Sequence, residues 1–210
     1  MCPSNALSFD DKAKTWDDDP VKVARANAVA QSIREQVPLN TRMSALEFGC
    51  GTGLLGFALK DDLGPLSLAD TSPGMLAVLQ DKIQASGRQD MHVCLVEAGQ
   101  PALPPASVDL IFTAMTLHHI EDTDKVLQQM YTMLKQPGYL CVADLDAEDG
   151  SFHGPDFSGH KGFDRSQLAE RAKQVGFETV RFTTVFVMNK GTGPGQTSFP
   201  VFLMVAGKTV

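Results

Sequence analysis

Leu46-Glu47-Phe48-Gly49-Cys50-Gly51-Thr52-Gly53-Leu54-Leu55-Gly56, written LEFGCGTGLLG, is the stretch on which the reading of this chain turns. Four glycines crowd a loop between one apolar run and the next, and Gly51 to Gly56 also fits the spacing GxGxxG. A strand that ends in glycines and feeds a helix leaves backbone N–H groups free at the helix start. Those groups favour a carboxylate or a phosphate, and glycine lets a ligand approach the backbone closely. The alternatives at this point are a nucleotide-like ligand and a bare strand–helix turn.

Working outward, apolar runs at Ser44–Phe48, Leu66–Ala69, His92–Val96, Val108–Thr113 and Tyr139–Asp144 read as strands. Helical patterns near Leu54–Lys60, Pro73–Ala85 and Thr123–Lys135 lie between them. Ser72-Pro73 reads as an N-cap with the first helical residue, and Gly87 as a stop. Val126, Leu127, Met130, Met133 and Leu134 make one apolar stripe at helical spacing. Asp164, with Gln167 three residues on, opens a helix through Val175 that Gly176 can end. Val180–Val187 and Phe199–Ala206 are β-rich and flank a Gly-rich loop, Asn189–Ser198, too short for a parallel crossover. The expectation is a doubly wound, Rossmann-like α/β fold. Its seven-stranded sheet is mostly parallel, with one antiparallel strand near the C-terminal end. Residues 1–40 carry no strand pattern, and a helix from Asp19-Pro20 to about Gln36 makes them a helical cap within a single domain, 1–210.

The bulk composition narrows the class. The 210 residues suffice for one domain with a real core, and 18 Lys and Arg against 25 Asp and Glu give a net charge of −7. That balance, without a basic cluster, argues against a nucleic-acid partner. No apolar run of about 18 residues is present for a membrane span, and the opening residues lack the pattern of a secretory signal. Cys2, Cys50, Cys94 and Cys141 show no metal-ligand spacing, so a reduced, cytoplasmic protein without a bound metal is expected.

Three neighbours refine the ligand. Glu47 stands two residues before Gly49, a spacing the dinucleotide pattern does not ask for. Asp70 closes the second strand in LSLADTSPGML, where a carboxylate can accept two ribose hydroxyls, and Glu97-Ala98 closes the third. With these motifs the chain resembles the class I S-adenosylmethionine-dependent methyltransferases, particularly the small-molecule group that includes quinone-biosynthesis enzymes. LEFGCGTGLLG is similar to that family's first motif, LADTSPGML to its ribose-binding strand and VEAGQPALPPASVDLIF to its third motif. LHHIEDTDKVLQQMYTMLKQPGYLCVADL resembles the fourth strand, helix and fifth strand, and FDDKAKTWDDDP the opening segment that folds over the cofactor.

The resemblance implies that Glu47, Gly49, Cys50, Gly51 and Gly53 hold the methionine end of S-adenosylmethionine. It places Asp70 at the ribose, Thr71 and Met75 beside the nucleoside, Glu97 and Ala98 at the adenine, and Thr113 and Ala114 on the approach to the sulfonium. The family has Asp where Glu97 stands, and Lys-Pro-Gly-Gly where this chain reads Lys135-Gln136-Pro137-Gly138.

Methyl transfer needs a base only if the acceptor sheds a proton. His118 and His119 follow the fourth strand, and adjacent residues point differently, so at most one is expected to face the acceptor. His153 and His160 lie on Asp144–Gly162, a polar Gly-rich stretch expected to form the acceptor-facing wall. His92 reads as structural. The function implied is methyl transfer to a small-molecule acceptor. A catalytically idle cofactor-binding subunit, a nicotinamide oxidoreductase and a protein methyltransferase are the alternatives.

Overall fold

Helix boundaries follow from local chemistry. In the computed structural model, residues 9–191 and 195–209 are described; Cys2 and the middle of the Asn189–Ser198 loop lie outside them. Helix α1 (Pro20–Gln36) starts where Asp19 accepts from the Val21 N–H at 2.9 Å, with proline first in the helix. It buries Ala26, Val29, Ala30 and Ile33, the i, i+3, i+4, i+7 face of a surface helix. Helix α2 (Leu54–Leu59) follows the glycine loop. Helix α3 (Pro73–Ser86) is capped by Ser72, which accepts from the Met75 N–H at 3.2 Å, and stops at Gly87 in the left-handed region, φ 70°. Asp122 caps α4 (Thr123–Met133), and Asp164 caps α5 (Arg165–Val175), which Gly176 ends at φ 115°.

The strands are β1 (Ala45–Phe48), β2 (Leu66–Asp70), β3 (Met91–Leu95), β4 (Val108–Ala114), β5 (Leu134–Leu145), β6 (Glu178–Lys190) and β7 (Thr197–Lys208). They form one sheet in the order β3-β2-β1-β4-β5-β7-β6, parallel except for β7, which runs antiparallel to both its neighbours. The expected sheet and its single reversed strand are both present. Helices α1 to α3 cover one face and α4 and α5 the other, each over its own apolar cluster. Leu140 to Leu145 of β5 are consecutively buried, as a central strand covered on both faces requires.

One helix end differs from the sequence reading. Helix α4 ends at Met133 and not Lys135, because Pro137 biases its neighbour away from helical backbone, and Leu134 instead pairs with Val108. No helix links β3 to β4; Pro101, Pro104 and Pro105 leave that connection short of donors.

Strand order reverses between β1 and β4, the place where open α/β sheets bind ligands beyond their C-terminal edge. A cavity of about 800 Å³ opens there. No described helix is long and apolar enough to cross a membrane.

Candidate active site

One end of the cavity is built from backbone. The Gly49 and Cys50 N–H groups donate to the Ala69 carbonyl at 2.8 and 3.0 Å, folding the loop back onto β2. Gly49 has φ 68°, and a Cβ there would fall 2.2 Å from Cγ2 of Thr116, so only glycine fits. Asp70 accepts from the Gly51 N–H at 2.7 Å and the Ser72 N–H at 2.9 Å, and burial raises its carboxyl above the ordinary range. Glu47 is 4% exposed, accepts from the Gly56 N–H at 2.9 Å, and is pushed up to about 8 by burial.

Glu47, Gly49, Cys50, Gly51, Asp70, Thr71, Met75, Glu97, Ala98 and Ala114 all line the cavity. Gly53 and Thr113 do not. Gly53 turns the chain into α2 at φ 75°, and Thr113 is buried with its hydroxyl unpartnered among the described residues.

The segment before α1 closes one side. Phe9, Lys12 and Trp16 line the cavity. Asp10 accepts from the Gly74 N–H at 2.8 Å and from the Ser72 hydroxyl. Asp17 accepts from the Thr52 hydroxyl and pairs with Lys82 at 2.6 Å. The segment is thereby tied to the glycine loop and to α3 by two carboxylates.

Histidines and aromatics make the opposite end. His118 is buried; its Nδ1 lies 2.6 Å from Asp144 Oδ1, and its Nε2 lies 3.0 Å from His153 Nε2. Asp144, fully buried, also accepts from the backbone N–H of Leu145 at 2.7 Å and of His118 at 3.2 Å. Phe157 stacks on His153 at 3.9 Å, and Phe9 and Phe157 meet the His119 ring edge-on. Burial, followed by the neighbouring imidazoles, lowers His119 to about 3, and burial and His118 lower His153 to about 4. Both rings are therefore neutral near pH 7.

Both His118 and His119 line the cavity. The reason is the 3-10 turn at Leu117–His119, which brings the two ring centroids to 4.2 Å. His160 lies away from it: its Nε2 donates to the Ile120 carbonyl at 2.9 Å, and it pins the loop. The Asp144–Gly162 stretch sends Phe152, His153 and Phe157 to the cavity, but none of its carboxylates. Asp146 pairs with Arg165 at 2.7 Å, and Glu148 and Asp149 accept from loop N–H groups. Ring nitrogens of His118, His119 and His153 lie within 4.8 Å of one another, a spacing also compatible with a metal ion. His92 sits exposed on the edge strand β3.

Sequence reasoning missed Arg25, Lys190 and the Asp144–His118 pairing. Asp144 carried one available signal, a lone carboxylate closing the buried run Leu140-Cys141-Val142-Ala143.

Comparison with known proteins agrees with this geometry. A family model described as methyltransferase domain matches residues 39–174. An uncharacterised methyltransferase of Schizosaccharomyces pombe is 31% identical over 119 residues, covering 53% of this chain and 42% of that protein. The methyltransferase GfsG of Streptomyces halstedii is 25% identical over 204 residues, covering 90% of this chain and 72% of its own. The ubiquinone/menaquinone biosynthesis C-methyltransferase UbiE of Vibrio campbellii is 32% identical over 104 residues, covering 48% of this chain and 40% of that one. Among solved structures, an Aquifex aeolicus SAM-dependent methyltransferase superposes with TM-score 0.67 at 20% identity, covering 100% of both chains. Phosphoethanolamine N-methyltransferase 2 of Haemonchus contortus, bound to S-adenosyl-L-methionine, gives 0.70 at 18% identity, covering 86% of this chain and 52% of that one. Sheet order, glycine loop and matched family together give the identity: the chain belongs to the methyltransferase-domain family, the S-adenosylmethionine-dependent methyltransferases.

Proposed function

We propose that the protein methylates a small molecule on an atom that gives up a proton, with Asp144, His118 and His153 as the proton-accepting chain. The observation that carries this reading is the continuity of one cavity from the Gly49–Asp70 end to His153 and Phe157.

The residues at the first end fit S-adenosylmethionine. A buried carboxylate at Glu47 suits a cationic amino-acid tail, and Asp70 at the end of β2 suits a ribose diol. Gly49, Cys50, Gly51, Thr71, Met75, Glu97, Ala98 and Ala114 would complete that cradle. Once bound, the cofactor supplies an electrophilic methyl group for in-line displacement.

The protein's own contribution is orientation, water exclusion and proton removal. Phe9 and Trp16 cover the cavity, so the acceptor must be small enough to lie beneath them. Asp144 accepts the Nδ1 proton of His118, leaving His118 Nε2 to accept from His153 Nε2–H. His153 Nδ1 is then the basic end of the chain. A base as weak as His153 takes the proton late, when the new bond to carbon has made the acceptor's O–H or N–H acidic.

A metal ion held by the three imidazoles is the second reading, favoured by their 4.8 Å grouping. Turnover that survives chelator treatment supports the relay; turnover lost to chelator and restored by a divalent ion would support the metal. Asp144→Asn should keep S-adenosylhomocysteine affinity and lose about a hundredfold or more in turnover, the usual worth of a positioned base. Equal turnover in Asp144→Asn and wild type would defeat the relay.

A further inference from the structure

Among the described residues, Arg25 is a cation without an anion. It lies on α1, half-buried, and lines the cavity. Its one hydrogen bond among the described residues runs from Nη1 to the sulfur of Met188, at 3.0 Å. A guanidinium offers five N–H donors in a planar fork, and a thioether is a weak acceptor for one of them. No carboxylate lies within ion-pair distance of it among the described residues, whereas the neighbouring Lys22 is paired with Asp19 at 3.3 Å. Burial holds the Arg25 guanidinium below its ordinary range, a cost that the nearby charges of Asp19 and Asp144 offset only in part.

Its position separates it from the cofactor end. Met188 belongs to β6, which lies four places from β1 in the sheet, about 19 Å at the usual strand spacing. The charges that act on Arg25 are Asp19 and Asp144; those that act on Glu47 are Asp70 and Lys82. The guanidinium therefore stands with the histidine end. Lys190 is on the same wall, 3.9 Å over the Phe152 ring and donating to the Phe152 carbonyl. Lys22 lies 3.9 Å over Trp16. Three cations and the rings of Trp16, Phe152 and Phe157 thus border the space where the acceptor would lie.

We infer that this end of the cavity binds an oxyanion, a carboxylate or a phosphate monoester attached to a flat apolar body, with Arg25 as its ligand. The inference rests on the methyl-transfer reading above and names the acceptor's class: a small organic acid. A planar fork matches either anion with two parallel N–H···O bonds, which lysine cannot reproduce. The aromatic walls then hold the body of the acceptor beside His153.

Simple probes test this without the acceptor in hand. Benzoate, phenyl phosphate and the neutral benzamide are titrated calorimetrically into protein saturated with S-adenosylhomocysteine. At least one of the two acids should bind tenfold or more tightly than benzamide, and whichever is preferred tells carboxylate from phosphate. Arg25→Met should bring acid binding down to the benzamide level while S-adenosylhomocysteine affinity stays within about twofold. Arg25→Lys, which keeps the charge, should fall between, and serves as the check if the methionine variant folds poorly. Benzamide binding as tightly as both acids, or acid binding unchanged in Arg25→Met, would overturn the proposal. So would a tenfold loss of S-adenosylhomocysteine affinity in both variants, which would give Arg25 to the cofactor. Failure of the wild type to bind S-adenosylhomocysteine would instead remove the methyl-transfer reading on which it stands.

Discussion

Glu47, next to last in β1, has one hydrogen-bond donor and is buried, and its carboxyl is pushed up to about 8. At neutral pH it holds its proton, and a cationic ammonium group brought beside it would draw that proton off. Affinity for S-adenosylhomocysteine should then rise with pH below about 8, by up to about tenfold per unit if one proton leaves on binding. Calorimetry from pH 6 to 8 reads this directly, and Glu47→Gln should flatten the dependence. Gly49 acts by lacking a side chain. Because a Cβ would strike Thr116, Gly49→Ala should displace either the loop or Thr116 and weaken the cofactor at least tenfold. A near-native affinity in that variant would show that the loop yields without loss.

At the scale of elements, the segment before α1 behaves as a strap with two carboxylate buckles, Asp10 on α3 and Asp17 on Thr52 and Lys82. Bound cofactor should slow amide exchange between Phe9 and Asp19, and Asp17→Ala should restore fast exchange while leaving the sheet protected. Exchange that ignores the cofactor would make the strap a fixed wall. Such elements were legible in the sequence where one residue type has one physical use. Ser72-Pro73, Asp164 with Gln167, and Gly87 and Gly176 each marked a helix end because capping chemistry is local. The reversed strand was legible because a short loop cannot carry a parallel return. What escaped depends on long-range contact. His118 meets partners 26 and 35 residues away, and no local pattern pairs them. Arg25 reads in sequence as one more charge on a surface helix; only the position of β6 turns it inward. The 3-10 turn that aims both His118 and His119 at the cavity has no composition signal of its own.

For the molecule as a whole, buried ionisable groups set opposing trends in stability. His119 and His153 titrate near 3 and 4 when folded but at the ordinary 6.5 when unfolded. Their contribution is present above 6.5 and is lost as pH falls toward 4. Glu47 runs the other way: raised from 4.5 to about 8, it contributes most below 4.5 and loses that contribution as pH climbs to 8. Between 4.5 and 6.5 the two rising groups against one falling leave a net rise of one group, matched by an equal fall from 6.5 to 8, so the maximum lies near pH 6.5 and the curve steepens only below 4.5. Thermal midpoints between pH 4 and 9 should show this peak. Glu47→Gln should level the alkaline side, and His119→Gln should reduce the acid slope; a midpoint that climbs steadily past pH 8 would contradict the assignment.

The reversal of strand order between β1 and β4 has a consequence for descent. On the β1–β2 side the cavity is framed largely by main-chain groups and glycines, which tolerate little replacement. On the β5–β6 side it is framed by side chains carried on a loop and a helix face, Phe152, His153, Phe157 and Arg25, which point substitutions can exchange one at a time. A lineage built on this plan can change its diet while keeping its fuel, and new acceptor preferences should arise from mutations confined to one half of the sheet.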